Sequence, residues 1–193
     1  GDIAIREILD IFKTVGIKYD KDSRHRLEHC LLLEESSIKK MATLNIHPSF
    51  HINHLYYYGE ALAKDIIGEK RTSQILPVAT TEKYDLRYSL HADQPMFKSD
   101  PLHLIHTAVN RKTRGGKLIG PHNRVAVQSA LKAMTIHSAW QIKMEDKIGS
   151  IKKDKYADFV ILAENPLEVS FDKIKDIQIL ETIVNGNTIY KLK

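Results

Sequence analysis

Residues 86–95 read Leu-Arg-Tyr-Ser-Leu-His-Ala-Asp-Gln-Pro, and they are the most informative part of the sequence. A short strand-like run, 86–90, leads directly into Asp93, and Pro95 interrupts regular structure two residues later. In barrels of parallel strands, the side chains that carry out chemistry lie at the carboxyl ends of the strands. The pattern therefore predicts a barrel strand that delivers the Asp93 carboxylate to a site.

Two further strand-like runs, upstream of this stretch, carry histidines at their ends. Residues 24–30 read RHRLEHC, and residues 46–54 read IHPSFHINH. Imidazole nitrogens and carboxylate oxygens are common ligands of zinc-like ions, and such an ion can activate water for hydrolysis. Histidine, histidine and aspartate at successive strand ends therefore predict a metal-dependent hydrolase.

The order of apolar patterns along the chain predicts an α/β fold. Over the first two thirds, helical spacing alternates with short strand-like runs, which is typical of parallel strands joined by helical crossovers. The predicted helices are 3–15, 34–44, 56–67, 73–84, 101–112, 124–134 and 136–142, and the predicted strands are 24–33, 45–50 and 86–90.

After Met144 the pattern changes to strands alone. We predict strands over 147–151, 157–162 and 180–192, and the last contains Asn185-Gly186, a dipeptide typical of two-residue hairpin turns. The sequence therefore predicts two domains, residues 1–145 and residues 146–193, of which the second is a small β appendage.

The composition is that of an ordinary globular protein. The 193 residues are 42% hydrophobic and 27% charged, which excludes disordered and fibrous classes. No apolar run approaches the roughly 20 residues that span a bilayer. The net charge of +5 comes from scattered lysines without the spacing of a nucleic-acid-binding motif. The single cysteine, Cys30, excludes an internal disulfide, fits a reducing, cytoplasmic setting and is predicted to be a buried small hydrophobe.

Segments spread over nearly the whole chain carry a resemblance to a known family. The most specific are residues 149–168 (GSIKKDKYADFVILAENPLE) and 181–190 (ETIVNGNTIY), joined by 1–5 (GDIAI), 24–30, 91–95 (HADQP) and 130–140 (ALKAMTIHSAW). Together they resemble the amidohydrolase superfamily and, within it, the YtcJ-like branch. The resemblance implies the C-terminal part of a (β/α)8 TIM-like barrel, strands six to eight with their helices, followed by the C-terminal half of a small β-sandwich.

The resemblance also assigns roles to residues at the strand ends. His29 matches a metal ligand on strand six, and Asp93 matches an aspartate on strand eight that binds metal and shuttles a proton. Taken without the resemblance, His29 could be a core histidine at a strand end, and Asp93 could be a turn or helix-cap residue before Gln94-Pro95. His54 or His51 would contact the substrate. His91 would either line the pocket or pack in the core.

The implied activity is hydrolysis of a non-peptide C–N bond, for instance in an N-acyl or N-formyl amide, through a metal-activated water with Asp93 as the proton shuttle. The cofactor would be a divalent metal, zinc above others, with one or two ions in the intact enzyme. The family's other ligands, on barrel strands one, four and five, would lie upstream of Gly1. We therefore expect only weak metal binding by His29 and Asp93 alone.

Two alternatives stay open at this point. One is a deaminase or cyclic-amide hydrolase on the same scaffold. The other is an inactive half-barrel that acts only with a partner chain, because the unpaired edges of an incomplete sheet favour association. The expected partners are therefore a small amide-type substrate and either a complementing N-terminal part or a second copy of the chain, with no nucleic acid and no membrane.

Overall fold

The computed structural model describes residues 1–15 and 22–193, which form an α/β fold. The helices are α1 (Asp2–Val15), α2 (Glu35–Thr43), α3 (Asn53–Ala61), α4 (Gly68–Thr72), α5 (Val78–Lys83), α6 (Pro101–Asn110), α7 (Val127–Met134) and α8 (Ile136–Gln141). The strands are β1 (His25–His29), β2 (Ile46–His51), β3 (Ser89–His91), β4 (Phe159–Leu162), β5 (Ile179–Val184) and β6 (Asn187–Lys191). The α/β class predicted from the sequence is confirmed.

Strands β1, β2 and β3 form a parallel sheet in that order. Parallel neighbours need a crossover connection, and helices lie between β1 and β2 and between β2 and β3. In the register of this sheet His29 lies beside Phe50, and His51 lies beside His91. The carboxyl ends of all three strands therefore meet at one edge of the sheet.

The core lies around the central strand. All six residues of β2 are buried, because neighbours cover it on both sides and helices pack on the sheet. Phe50 contributes to a hydrophobic cluster that includes Ile38 and Met41 of α2 and Leu104 of α6. This packing holds the ends of the parallel strands in fixed positions.

Strands β4, β5 and β6 form a separate antiparallel sheet. The predicted hairpin is confirmed, because Asn185 and Gly186 join β5 to β6 with φ of +49° and +78°, the left-handed pair that a type I′ turn requires. Apolar side chains of this sheet face solvent, with Val160 53% and Ile189 66% exposed. The domain boundary at residue 145 stays a prediction.

The predicted strand over 24–33 is shorter in the structure. Only β1 is extended, because the next turn begins at once: His29 and Cys30 have φ of +66° and +49°. The Cys30 N–H donates to the Glu28 carbonyl oxygen over 2.8 Å. The continuous apolar run that followed His29 is a buried loop, not an extension of the strand.

The predicted strand over 147–151 is wrong. The backbone N–H groups of Lys147 and Ile148 both donate to the Met144 carbonyl oxygen, each over 2.9 Å, and Gly149 has a φ of +83°. These bonds close turns, which leaves no extended run in this segment.

Helix boundaries differ from the predictions in two places. The helix predicted over 73–84 is only α5, because Pro77 directly precedes it and residues 73–76 form turns. The helix predicted over 56–67 begins earlier, as α3, and ends in a π-helical turn, Leu62–Ile66. His54 therefore lies in the first turn of a helix, whereas the sequence suggested a loop. The remaining predicted elements occur with ends shifted by at most three residues.

No helix within residues 1–15 and 22–193 is both long enough and apolar enough to cross a membrane.

Candidate metal centre

Five side chains come together where the parallel strands end. His29, His51 and His91 are the last residues of β1, β2 and β3, Asp93 follows β3, and His54 lies in the first turn of α3. The ring centroids of His51 lie 5.6 Å from those of His29, 5.1 Å from His91 and 4.0 Å from His54. All five residues proposed from the sequence therefore lie in one cluster.

Three members of the cluster lie close enough together that they could hold a metal ion. One ligand atom from each of His29, His51 and Asp93 lies within 4.8 Å of the other two, and no other trio of histidine, cysteine and acidic side chains in the described ranges does so. The Nδ1 atoms of His29 and His51 are each 4.0 Å from Asp93 Oδ2, which is too long for a hydrogen bond. Two ligand atoms that each lie about 2.0–2.1 Å from one ion can be at most about 4.2 Å apart. Both 4.0 Å distances to Asp93 are within this limit.

The backbone brings His29 to this side of the sheet. His29 pairs in register with Phe50, whose side chain is buried in the hydrophobic core, so strand alternation would place both side chains on one face. The φ of +66° at His29 breaks this alternation, and Asp93 is also left-handed with a φ of +55°. Left-handed backbone is uncommon outside glycine and concentrates at functional sites. Nine other non-glycine residues in the described ranges also have a positive φ, so this conformation alone assigns no role.

His51 is the most unusual member of the cluster. Its side chain is 0% exposed, and neither ring nitrogen has a hydrogen-bond partner. Burial lowers the pKa of His51 to about 4, with a further contribution from His54 and His91. The imidazole is therefore neutral at pH 7, the form in which histidine binds metals. A buried polar ring without partners is costly, and an ion at one nitrogen would remove part of that cost.

His91 faces an open cleft beside the cluster. The cleft has a volume of about 420 Å³, and its lining includes His29, His91, Asp93 and Glu28. His91 Nε2 lies 4.0 Å from Glu28 Oε2, and Arg26 Nε donates to the other carboxylate oxygen of Glu28 over 2.5 Å. Burial lowers the pKa of His91, and the nearby Glu28 opposes that shift. Glu28 was missed by sequence reasoning, although it stands directly before His29.

Three aromatic side chains, Tyr57, Tyr58 and Phe97, lie beside His51 and His54. The Phe97 ring lies 5.5 Å from that of His51 and stacks on Tyr57 with centroids 4.5 Å apart. The Tyr58 ring lies 5.8 Å from that of His54. Nothing in the sequence singled out Phe97.

Two residues near the cluster have structural roles. His25, at the start of β1, packs edge-on against Phe12 with ring centroids 5.1 Å apart. Cys30 is 3% exposed, and burial raises the pKa of its thiol to about 12. Because a nucleophilic cysteine must ionise, this thiol is inert, which confirms the prediction of a buried small hydrophobe.

The sequence matches a known enzyme family along almost its whole length. The profile of the amidohydrolase family covers residues 1–190. The chain belongs to the amidohydrolase family. The resemblance to the YtcJ-like branch is confirmed as well. The amidohydrolase chain is 26% identical to YtcJ of Bacillus subtilis (strain 168) over 199 residues, which cover 99% of this chain and 36% of YtcJ.

Two further relatives match over a similar extent. The N-substituted formamide deformylase of Arthrobacter pascens is 27% identical over 191 residues, covering 99% of the amidohydrolase chain and 35% of the deformylase. The protein LONG AFTER FAR-RED 3 of Arabidopsis thaliana is 31% identical over 192 residues, which cover 98% of the amidohydrolase chain and 33% of that protein. The amidohydrolase chain thus spans about a third of the length of the curated relatives it matches.

Solved structures share its fold. An uncharacterized metal-dependent hydrolase from Pyrococcus horikoshii OT3 matches with a TM-score of 0.74 at 23% identity, over 89% of this chain and 34% of that one. An adenosine deaminase from Xanthomonas campestris with bound zinc matches with a TM-score of 0.59 at 17% identity, over 84% of this chain and 36% of the deaminase. The α/β fold of the amidohydrolase chain therefore corresponds to about a third of each of these enzymes.

Proposed function

We propose that this chain is part of a metal-dependent amidohydrolase that hydrolyses a non-peptide C–N bond. The observation that carries the proposal is the 4.0 Å approach of His29 Nδ1 to Asp93 Oδ2, although β2 separates the strands that position them. Membership of the amidohydrolase family supports this reaction class, and so does the likeness to a formamide deformylase. An N-acyl or N-formyl amide is the substrate class that we favour.

His29 and Asp93 would hold a divalent ion, for which we propose zinc. These residues fit such an ion, because their ligand atoms converge and a buried imidazole without hydrogen-bond partners, His51, stands beside them. When bound, the ion would supply a Lewis acid that polarises the scissile carbonyl group and lowers the pKa of water. Imidazole nitrogen and carboxylate oxygen are common zinc ligands, which supports this choice of metal.

Asp93 carries the proton in this proposal. Its side chain is 43% exposed and lines the open cleft, so its carboxylate can reach both the attacking water and the substrate. Asp93 accepts a proton from the water as the new C–O bond forms. It then donates that proton to the nitrogen as the C–N bond breaks, so that the amine leaves in its neutral form.

His91 and His54 orient the substrate. Burial lowers the pKa of both, so each imidazole is neutral at pH 7 and can donate one N–H hydrogen bond to a substrate oxygen. Such a bond stabilises the negative charge that develops on a carbonyl oxygen during attack. His51 was predicted to share this role, but it has no exposed surface through which to contact a substrate.

The sheet of β1, β2 and β3 would form strands six to eight of a (β/α)8 barrel in the complete enzyme. Residues 1–145 would then be the partial barrel, and residues 146–193 the C-terminal half of a small β-sandwich. The strand order, the parallel register and the ligands at the carboxyl ends support this assignment. A cytoplasmic setting agrees with the reduced Cys30.

A deaminase or cyclic-amide hydrolase is the second candidate. The likeness to the Xanthomonas campestris adenosine deaminase favours it, although at 17% identity that likeness concerns the fold alone. Product analysis separates the reactions: ammonia indicates deamination, a ring-opened product indicates a cyclic amide, and an acid with an amine indicates amide hydrolysis.

A half-barrel that acts only with a complementing polypeptide is the third candidate. The exposed apolar side chains of the antiparallel sheet and the length relative to the curated relatives favour it. The complement would be the N-terminal part of the enzyme or a second copy of the chain. Light scattering tests this candidate, and a compact monomer that hydrolyses amides without added polypeptide would contradict it.

The main experiment measures activity in the complete polypeptide that contains this chain. With zinc bound, it should release acid and amine from a panel of N-acyl and N-formyl amides. Asp93→Asn should lower kcat by at least about 100-fold, because general acid–base groups contribute that much or more. Asp65→Asn, at an exposed position of the Leu62–Ile66 turn, is the matched control. An Asp93→Asn variant with more than a tenth of the activity would refute the role of Asp93.

A further inference from the structure

We infer that His51 is a third ligand of the metal, so that this chain alone carries the core of a divalent-cation site. The inference rests on the proposed function for the other two ligands, His29 and Asp93. It changes the role of His51 from substrate contact to coordination. It also replaces the expectation of weak metal binding, which counted only two ligands within the chain.

The first argument is distance. The His51 and His29 Nδ1 atoms lie equally far, 4.0 Å, from the same carboxylate oxygen of Asp93. Tetrahedral ligands about 2.1 Å from an ion are about 3.4 Å apart. The three ligand atoms all lie within 4.8 Å of one another, so shortening their separations by no more than about 1.4 Å would let Asp93 and both imidazoles share one ion.

The second argument is the comparison of His51 with His47, which stands on the same strand. His47 is 4% exposed, and its ring nitrogens lie 3.2 Å from the Arg87 carbonyl oxygen and 3.2 Å from the Asn45 side-chain amide. His51 is fully buried, and both of its ring nitrogens lack partners. Buried polar groups are nearly always paired. Of the two histidines on β2, His51 is therefore the one for which a metal ion would supply the missing partner.

The third argument is access. His51 does not line the open cleft, whereas His29 and Asp93 do, with side chains 46% and 43% exposed. A substrate entering the cleft would meet those two residues first. An ion held by these two residues could also be bound by the buried His51, whose Nδ1 lies 4.0 Å from the same Asp93 oxygen.

The test is direct metal binding by the 193-residue chain. Calorimetric titration with Zn²⁺ and visible absorption with Co²⁺ should show one tight site. His51→Ala should weaken binding by about 100-fold or more, since even the outer-shell partners of metal ligands contribute 10–100-fold. His47→Gln, a change at the satisfied histidine of the same strand, should alter binding by less than about threefold. Circular dichroism checks that each variant is folded.

A cysteine variant distinguishes coordination from indirect support. A thiolate is a good ligand for Zn²⁺ and Co²⁺, so His51→Cys should bind either ion where His51→Ala does not. Its Co²⁺ complex should show a thiolate-to-cobalt charge-transfer band in the near ultraviolet. The wild-type complex should lack this band, because Cys30 lies in the hydrophobic core.

The outcomes separate this inference from the proposed function. If His29→Ala and Asp93→Asn lose Co²⁺ binding while His51→Ala keeps it, the role of His51 is refuted and the proposed metal centre stands. A wild-type chain that binds no ion also refutes the inference, and the amide-hydrolysis assay on the complete polypeptide then decides the proposed function separately. Loss in His51→Ala with the thiolate band in His51→Cys supports coordination by His51.

Discussion

His47 should make the folded chain less stable as the pH falls. It lies on β2 with 4% of its surface exposed, and its ring packs edge-on against Trp140 with centroids 4.6 Å apart. Burial lowers its pKa from 6.5 to about 4, and the positive charges of Arg87 and Arg24 act in the same direction, against a hydrogen bond to the Arg87 carbonyl group. The folded protein therefore binds the proton much less well than the unfolded chain.

The sign and size of the effect follow from this difference in pKa. Protonation favours the unfolded state, so the stability contributed by neutral His47 is complete above about pH 6.5 and falls as the pH drops toward about 4. Integrated from pH 7.5 to pH 5, the loss is about 2 kcal/mol. That is a large share of the about 5–15 kcal/mol that stabilises a typical domain.

Urea unfolding of the wild type and of His47→Gln measures this contribution. The other buried histidines are common to both proteins, so the difference between the two free energies of unfolding isolates His47. This difference should move by about 2 kcal/mol in favour of the variant between pH 7.5 and pH 5. A difference that stays constant within about 0.5 kcal/mol, smaller than the effect of one perturbed group, would refute the reasoning.

Three further outcomes test the packing and the metal centre. Arg111→Met should lower the free energy of unfolding in urea by more than about 3 kcal/mol, because the buried guanidinium donates to three backbone carbonyl groups. A loss below about 1 kcal/mol would contradict this. Gly120→Ala should destabilise more than Gly68→Ala, because a Cβ at Gly120 would lie 2.1 Å from the Ser73 carbonyl oxygen, whereas one at Gly68 would meet nothing within 4 Å; equal melting temperatures would contradict the clash. Zn²⁺ at about 100 times its dissociation constant should stabilise the wild type by about 2.7 kcal/mol, and a melting temperature unchanged by zinc would contradict a specific site.

The sequence identified the members of the cluster because strand ends are visible in a sequence. His29, His91 and Asp93 follow short extended runs, and parallel strands bring such ends to one edge. The sequence could not assign their individual roles. Whether His51 contacts a substrate or an ion depends on its exposure and on its missing hydrogen-bond partners, which only the packing of β2 sets.

The two wrong strand predictions also arose because backbone conformation and hydrogen bonding cannot be read from residue types. Residues 147–151 have the composition of a strand, but hydrogen bonds to the Met144 carbonyl oxygen fold them into turns. The apolar run after His29 suggested a longer strand, but the left-handed φ at His29 and Cys30 ends β1. That backbone conformation also moves His29 out of the alternation of its strand, and a pattern of residue types contains no such information.

We expect metal binding by this chain to be separable from completion of its fold by further polypeptide. The proposed ligands come from the ends of β1 and β2 and from the residue pair after β3, which one sheet and one core hold in place. Two other features of the chain are open to solvent. No described strand pairs with the outer edges of β1 and β3. Val160 and Ile189, which belong to the antiparallel sheet, have exposed side chains. Without further polypeptide, we therefore expect the chain to bind an ion and yet to self-associate, because open edges and apolar surface drive association. An ion site that appeared only after a complementing polypeptide was added would contradict this separation.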